Sequence, residues 1–162
     1  MKRLLSLGCV LVPLLLGWGG CDTAEEQRDF EDEAFSIPSG YTSTDENGEI
    51  IAEDKDDWRT APAYNSRILV DPAFPNPAAP GDNVTVPVQV FEFNAVGGAL
   101  QLVSFDENRI PRRLDDTPDA GNPGAYVLRF SPTVLGVRGL IRLFILDSRG
   151  DLVSYGDVFI DS

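Results

Sequence analysis

Short apolar runs that alternate with polar residues constrain the fold of this chain more than any other feature. Between residues 84 and 90, valines occupy every second position, and Thr85, Pro87 and Gln89 stand between them. Successive side chains of a strand point to opposite faces, so this run predicts a strand with one buried face. Proline has no N–H for a sheet ladder, so Pro87 on the outward phase predicts a sheet edge or a bulge.

Similar runs recur throughout residues 64–162, and none of them shows a sustained helical period. Gly, Pro, Asn and Asp separate them about every 8–12 residues, as in all-β sandwiches. The pattern therefore predicts an all-β fold with a single antiparallel β-sandwich of 6–7 strands over residues 64–162. The predicted strands are Arg67 to Val70, residues 84–93, Leu100 to Phe105, Ile110 to Leu114, Tyr126 to Phe130, Leu140 to Leu146 and Leu152 to Ile160.

Charge divides the chain into two parts. Residues 22–58 contain 14 acidic and 2 basic residues, a net charge of −12, whereas residues 59–162 contain 12 acidic residues and 9 arginines, a net charge of −3. The acidic part also has few large apolar residues, a composition typical of disordered segments. Residues 21–63 are therefore predicted to be an acidic, mostly disordered tether in front of the sandwich.

Composition also limits the chemistry of the chain. It contains no histidine, and Cys9 and Cys21 are its only cysteines. The commonest general base and the commonest ligands for zinc, haem and iron–sulfur clusters are thus missing. An acidic protein has no electrostatic reason to bind nucleic acid. We therefore expect no nucleic-acid partner, no cofactor and no enzymatic activity.

The first 20 residues have the layout of an export signal. Lys2 and Arg3 form a short positive region, and an apolar run from Leu4 to Trp18 follows it. This run is shorter than the about 18 residues expected of a membrane-spanning helix, and Pro13 lies in its middle. Residues 1–20 are therefore predicted to be a cleaved signal peptide.

Gly19, Gly20 and Cys21 follow the apolar run. Together with Trp18, which stands where leucine is usual, they resemble the lipobox of bacterial lipoprotein precursors. The resemblance implies that Cys21 becomes the mature N-terminus, carries diacylglycerol on its sulfur and a fatty acyl group such as palmitate on its amine, and anchors the protein to a membrane. The alternative is ordinary cleavage, for instance after Gly19, which leaves Cys21 as a lone thiol in an oxidising compartment.

The acidic part contains a stretch that can be aligned with a calcium-binding loop. In residues 43–54, Gly48 takes the sixth position, Asp45 the third, Asn47 the fifth and Asp54 the twelfth. Ser43 stands at the first position, where aspartate is needed. The alternative is a turn at residues 46–48 between two short extended pieces.

Four groups of residues in the sandwich are candidate binding or catalytic sites, each with a structural alternative. The arginine group suits an anionic ligand or protects a sheet edge. The aspartate group suits a cation or a glycosidase acid pair, or consists of solvated turn residues. The RGD-containing turn suits adhesion or is only a tight turn. The apolar group forms an interface patch, or is covered by the tether or by the proline-rich residues 71–80. The groups are Arg109, Arg112 and Arg113; Asp115, Asp116 and Asp119; residues 148–151; and Phe91, Leu140, Phe144 and Leu146.

Two features of the sandwich resemble those of a known class of domain. Phe74-Pro75-Asn76-Pro77 and the closing hairpin of residues 143–154 are similar to the YPNP-type opening and the D-x-x-G hairpin of Ig-like domains at the C-termini of bacterial secreted proteins. The resemblance covers about 90 residues of the chain. It implies an Ig-like topology for the sandwich.

These observations predict a non-enzymatic Ig-like binding or assembly module. A lipid on Cys21 holds it at the bacterial cell envelope, facing the periplasm or the cell surface, with the membrane and an envelope protein as partners. A carbohydrate-binding or calcium-dependent adhesion module is one alternative, and it requires a row of solvent-facing aromatic side chains or clustered loop acids. An enzyme that uses carboxylates is the other, and it requires two acids converging in a cleft.

Overall fold

The computed structural model describes residues 22–161. The predicted signal peptide and the predicted lipidation site Cys21 lie outside these residues. Neither α-helix of the described part is long and apolar enough to cross a membrane. The elements are helix α1 (Asp22–Ala34), strands β1 (Ser43–Thr44) and β2 (Ile50–Ala52), a 3₁₀ helix (Pro62–Tyr64), strands β3 (Ile68–Val70), β4 (Val84–Val90), β5 (Leu100–Phe105), β6 (Pro111–Asp116) and β7 (Gly124–Phe130), helix α2 (Pro132–Leu135), and strands β8 (Gly139–Asp147) and β9 (Leu152–Ile160).

Seven strands form two antiparallel sheets that share one apolar core. One sheet has the strand order β3-β4-β7 and the other has the order β6-β5-β8-β9, while β1 and β2 form a separate hairpin. The alternation of each strand sends one row of side chains inward, among them Val86 and Leu128 from the first sheet and Leu102 and Ile145 from the second, and all four are completely buried. The predictions of an all-β fold and of seven strands in a sandwich are confirmed.

Pro87 lies on the central strand β4, so the prediction of a sheet edge or a bulge at this position is wrong. The register of β4 with β7 is continuous through Pro87. Strand β3 ends at Val70, which pairs with Val88, and the Pro87 carbonyl accepts a hydrogen bond from the Asp71 N–H at 3.1 Å. The N and the carbonyl of a residue in an antiparallel strand point to the same side. The missing N–H of Pro87 therefore faces the end of a short neighbour, where the ladder has already finished.

The proline-rich segment between β3 and β4 joins the two sheets. Phe74 pairs with Thr85 of β4 in an isolated bridge, and Ala78 pairs with Ile160 of β9. Asn76 lies between these bridges and is completely buried, and its side-chain amide forms hydrogen bonds with the backbone of the N-terminal segment and of β9. The residues that resemble the YPNP-type opening thus close one side of the sandwich.

Residues 22–63, which we call the N-terminal cover, differ from the expected tether. Part of the cover lies on the outer face of the four-stranded sheet, where the Phe30 ring packs 5.0 Å from the Tyr155 ring. Residues 58–61 instead follow the edge strand β9, where the Trp58 N–H donates to the Tyr155 carbonyl at 2.8 Å and the Trp58 side chain is buried against Gly156. Few apolar residues suffice for this docking because they pack against residues of β8 and β9, as Phe30 does against Tyr155 and Phe35 against Phe144. The acidic side chains of α1, such as Glu25 and Glu26, stay exposed, so the charge that predicted disorder does not oppose the packing.

Three hairpin turns repeat one design. In each turn an aspartate carboxylate accepts hydrogen bonds of 2.8–3.1 Å from the backbone N–H groups two and four residues later. The fourth residue of each turn has a positive φ. The aspartates are Asp45, Asp106 and Asp147, and the residues with positive φ are Gly48, Arg109 and Gly150. The design places glycine at two of the three positions because only glycine adopts this conformation without strain.

Replacing Gly150 by alanine should lower the free energy of unfolding by about 1–2 kcal/mol. A Cβ at Gly150 meets no atom within 4 Å, so the loss reflects only the left-handed backbone with φ of 87°. Urea unfolding of the alanine and asparagine variants checks this expectation. Asparagine tolerates the left-handed region and should lose less; equal losses for the two variants would contradict this explanation.

Candidate functional site

An open groove of about 650 Å³ lies where three parts of the chain meet. One side is formed by residues 34–38 of the N-terminal cover, directly after α1. The other sides are the end of β5 with the turn that follows it, and the connection between β7 and β8. The groove therefore exists only because the cover is docked on the sandwich.

Three phenylalanine rings form the floor of the groove. The Phe105 and Phe144 rings are 4.8 Å apart, and Phe35 lies 5.4 Å from the first ring and 5.1 Å from the second. Phe35 is 42% exposed, and Ile37 beside it is 90% exposed. Val137 faces them from the β7–β8 connection and is also exposed. A concave surface with accessible aromatic and aliphatic side chains is typical of a binding site.

Two of the three predicted arginines lie on the rim of this groove. The Arg109 guanidinium is 5.3 Å from the centre of the Phe35 ring, and Arg112 Nη1 donates a 3.2 Å hydrogen bond to the Leu135 carbonyl. Arg113 does not line the groove and lies 3.8 Å from Asp116. Neighbouring residues of a strand point to opposite faces, so Arg112 and Arg113 cannot both face one ligand.

A buried ion pair holds the cover beside the groove. The Arg142 Nε and Nη2 atoms donate hydrogen bonds of 2.8 and 2.6 Å to the two carboxylate oxygens of Asp157. The side chains are only 12% and 3% exposed. Arg142 Nη1 also donates to the carbonyls of Glu33 and Ala34 at 3.0 and 3.2 Å. These carbonyls lie in the last turn of α1, where carbonyls lack intrahelical partners, so Arg142 caps the helix together with the Ser36 N–H, which donates to the Glu33 carbonyl at 2.9 Å.

Asp57 connects the cover to β9 through its carboxylate. It accepts hydrogen bonds from the Thr42 N–H at 2.6 Å and from the Asp157 N–H at 2.9 Å. Burial, together with the nearby charges of Asp157 and Asp54, raises the pKa of Asp57 to about 7, and the two N–H groups oppose this rise. The carboxylate therefore ionises in the folded protein near neutral pH.

The stability of the protein relative to that of its Asp57→Asn variant should fall as pH rises from about 4 to about 7. In this range the unfolded chain has lost the Asp57 proton while the folded protein still holds it, so raising the pH favours unfolding. Below pH 4 and above pH 7 the two states bind this proton equally, so the difference becomes constant. Urea unfolding at pH 5, 6, 7 and 8 measures it; a difference that stays constant from pH 5 to 7 would show that the pKa of Asp57 is not raised.

The predicted apolar patch is divided between two surfaces. Leu140, Phe144 and Leu146 lie on the outer face of the four-stranded sheet, where Phe35 packs on Phe144. The cover thus shields part of this group, in agreement with the alternative that the N-terminal segment covers it. Phe91 follows β4 and lies on the outer face of the other sheet, where it is half exposed.

The aspartates of the predicted acid group make separate contacts. The Asp115 carboxylate accepts the Arg129 N–H at 2.7 Å, and the Asp119 carboxylate accepts the Gly121 N–H at 2.9 Å. Asp116 lies near Arg113. Asp119 therefore matches the alternative of a turn residue, whereas Asp115 and Asp116 belong to strand β6 and not to the predicted loop.

The arginine of the RGD-containing turn binds to the turn itself. Arg149 Nη2 lies 2.8 Å from the Asp147 carboxylate, and Arg149 Nε lies 3.2 Å from the Asp151 carboxylate. The Asp147 side chain is completely buried and also accepts the Tyr64 hydroxyl at 3.2 Å. Burial alone would raise the pKa of Asp147, but the hydrogen bonds from Arg149 and neighbouring N–H groups lower it. This geometry matches the tight-turn alternative.

The stretch aligned with a calcium loop forms a hairpin. Strands β1 and β2 pair across it, and the Asp45 carboxylate accepts the Asn47 and Glu49 N–H groups at 2.8 Å. Within residues 22–161 no group of three or more histidine, cysteine, aspartate or glutamate side chains is arranged to hold a metal ion. The hairpin therefore corresponds to the turn alternative.

Sequence reasoning missed the residues that build the groove and hold its wall. Phe35 and Ile37 belong to the segment predicted to be a tether, and Arg142, Asp157 and Trp58 received no role. One signal was present: Arg142 stands in the middle of a strongly apolar strand, and a charged residue in such a place is normally paired.

Comparison with known proteins adds no family assignment to this geometry. No protein-family model, no curated protein and no solved structure matches the chain. The groove and the predicted leader sequence are therefore the two features from which a function can be inferred.

Proposed function

We propose that this protein is a lipid-anchored protein of the bacterial cell envelope that presents an Ig-like sandwich as a non-enzymatic binding or assembly module. The groove is the observation that carries the proposal. Aromatic side chains and arginine are enriched in protein–protein interfaces, and the groove combines three phenylalanines with Arg109 and Arg112. Its partner is accordingly another envelope protein.

The strand order supports an Ig-like classification of the sandwich. In Ig-like sandwiches the first, second and fifth strands share one sheet, and the third, sixth and seventh strands share the other. In the corresponding order β3, β4 and β7 form one sheet, and β5, β8 and β9 belong to the other. Strand β6 is added beside β5 at the edge of the second sheet.

The leader supports the anchor. A positive region, a short apolar run and two small residues precede Cys21 in that order. One acyl chain gives only marginal membrane binding, with about 0.8 kcal/mol for each buried methylene, whereas a diacylglycerol with a further acyl group anchors stably. Lipidation also removes the lone thiol of the mature chain.

Replacing Cys21 by serine should move the protein from the membrane fraction to the soluble fraction of the cell. The thioether to lipid cannot form on serine, so membrane attachment through acyl chains is lost. Fractionation, together with incorporation of a fatty acid analogue, measures both effects. A serine variant that still sediments with membranes would overturn the anchor.

Envelope proteins should be recovered with the wild-type protein and with an Ile51→Asp variant, but not with an Ile37→Asp variant. Both isoleucines are strongly exposed, so neither substitution disturbs the core. Only Ile37 lines the groove. Affinity purification from membranes with quantitative mass spectrometry compares the three proteins, and equal recovery of the same proteins would exclude the groove as the binding surface.

A further inference from the structure

Helix α1 is fastened along its second half to the sandwich and to the rest of the cover. Phe30 is buried against Tyr155 of β9. Within the cover, the Gln27 side-chain oxygen accepts the Ala63 N–H at 3.1 Å, and Glu33 forms a 2.6 Å ion pair with Arg59. Arg142 then binds the carbonyls at the end of the helix. The helix is thus part of the folded body from Gln27 onward.

Only five residues separate Cys21 from the first docked residue of α1. Residues 22–26 rise about 8 Å as helix and span at most about 18 Å when fully extended. A disordered chain over residues 22–63 would instead extend to about 140 Å. The link between the lipid position and the folded body is therefore short in either conformation.

The groove begins where α1 ends. Residues 34–38 form one of its sides, and the helix rises about 10 Å between Gln27 and Ala34. Adding this rise to the fully extended link places the start of the groove no more than about 30 Å from the position of Cys21.

We infer that the lipid anchor holds the groove within about 30 Å of the bilayer surface through helix α1, so that the envelope protein that binds the groove meets it within this distance of the membrane. The inference rests on the proposed lipidation of Cys21. A partner that stays farther from this membrane cannot reach the groove while the cover is docked. The N-terminal cover thus acts as a short, fixed mount for the sandwich and not as a spacer.

A distance measurement on lipidated full-length protein tests this inference. The mature chain has no cysteine besides Cys21, so Val137→Cys places a single reactive thiol on the exposed side of the groove. The protein is purified from membranes, labelled with a donor dye and inserted into phosphatidylcholine vesicles that contain acceptor-labelled headgroups. Energy transfer should correspond to a dye about 20–40 Å from the headgroups, the groove distance with allowance for the dye.

The matched control carries 20 Gly/Ser residues between Cys21 and Asp22. Such a linker adds a root-mean-square span of about 25 Å, so energy transfer should fall clearly below that of the parent. Low transfer from the parent protein, or equal transfer from both proteins, would overturn the fixed mount. A failure of the labelled protein to float with the vesicles would overturn the anchor as well, and flotation thus separates the two failures.

Discussion

Replacing Arg142 by methionine should lower the free energy of unfolding by about 3–5 kcal/mol. The substitution removes both hydrogen bonds to Asp157 and leaves this carboxylate buried without its counter-charge. It also removes the Arg142 hydrogen bonds to the Glu33 and Ala34 carbonyls at the end of α1. Burial already raises the pKa of Asp157, and only Arg142 favours its charged form. Chemical denaturation followed by circular dichroism measures the loss.

Arg59→Met provides the matched control for this variant. Arg59 also holds α1, through a 2.6 Å ion pair with Glu33, and it donates a 3.1 Å hydrogen bond to the Tyr155 hydroxyl of β9. Both side chains of the ion pair are, however, more than 40% exposed. Exposed ion pairs contribute about 0–1 kcal/mol, so this variant should remain close to the wild-type stability. Equal losses for the two variants would show that burial of the Arg142–Asp157 pair does not govern attachment of the cover.

Replacing Gly156 by alanine should destabilise the protein by about 3 kcal/mol or displace Trp58 from its site. An added Cβ would lie inside the Trp58 indole, 2.6 Å from Nε1 and closer still to two ring carbons. The indole is buried against the strand backbone and has no free space into which to retreat. Displacement would expose Trp58 to water and shift its fluorescence emission to longer wavelength.

The fluorescence readout is specific because the only other tryptophan, Trp18, lies in the predicted signal peptide. Gly81→Ala is the control, since a Cβ at Gly81 meets no atom within 4 Å and its φ is not in the left-handed region. This variant should stay within about 0.5 kcal/mol of the wild type and keep its emission. If Gly156→Ala behaved like Gly81→Ala, Trp58 would not be packed on β9 as described.

The strands were predictable because their signal is local. A period of two in Val84–Val90, or a continuous apolar run in Leu100–Phe105, reports burial of one or both strand faces without reference to the rest of the chain. Turn residues then mark where each strand ends. Six of the seven strands follow from these signals, whereas β6 (PRRLDD) has neither an apolar period nor an apolar run. The conformation around Pro87 also needed the neighbouring strand for its explanation.

The N-terminal cover was not predictable by the same reasoning. Phe30, Phe35 and Trp58 are isolated in an acidic stretch. A segment with so few apolar residues and so much charge is predicted to be disordered. Their packing depends on strands β8 and β9, which lie about 100 residues later in the sequence and provide Phe144, Tyr155 and Gly156 as contacts. No local pattern contains this information, because the contacts are between distant segments.

Only part of the groove was predicted from the sequence. Arg109 and Arg112 were candidate binding residues because they cluster near one predicted edge strand. Their apolar counterpart, Phe35 and Ile37, became part of the same surface only through docking of the cover. Arg113 points to the opposite face of β6 from Arg112, so it does not line the groove. Phe91 follows β4 and therefore belongs to the other sheet.

By itself the sequence determined the strands and their turns, because each of these depends on residues close together along the chain. The tertiary structure alone decided that the acidic segment is a cover and that a groove forms at the end of α1. These features depend on side chains that fit together across long sequence separations, and burial is a property of the assembled surfaces and not of any one segment.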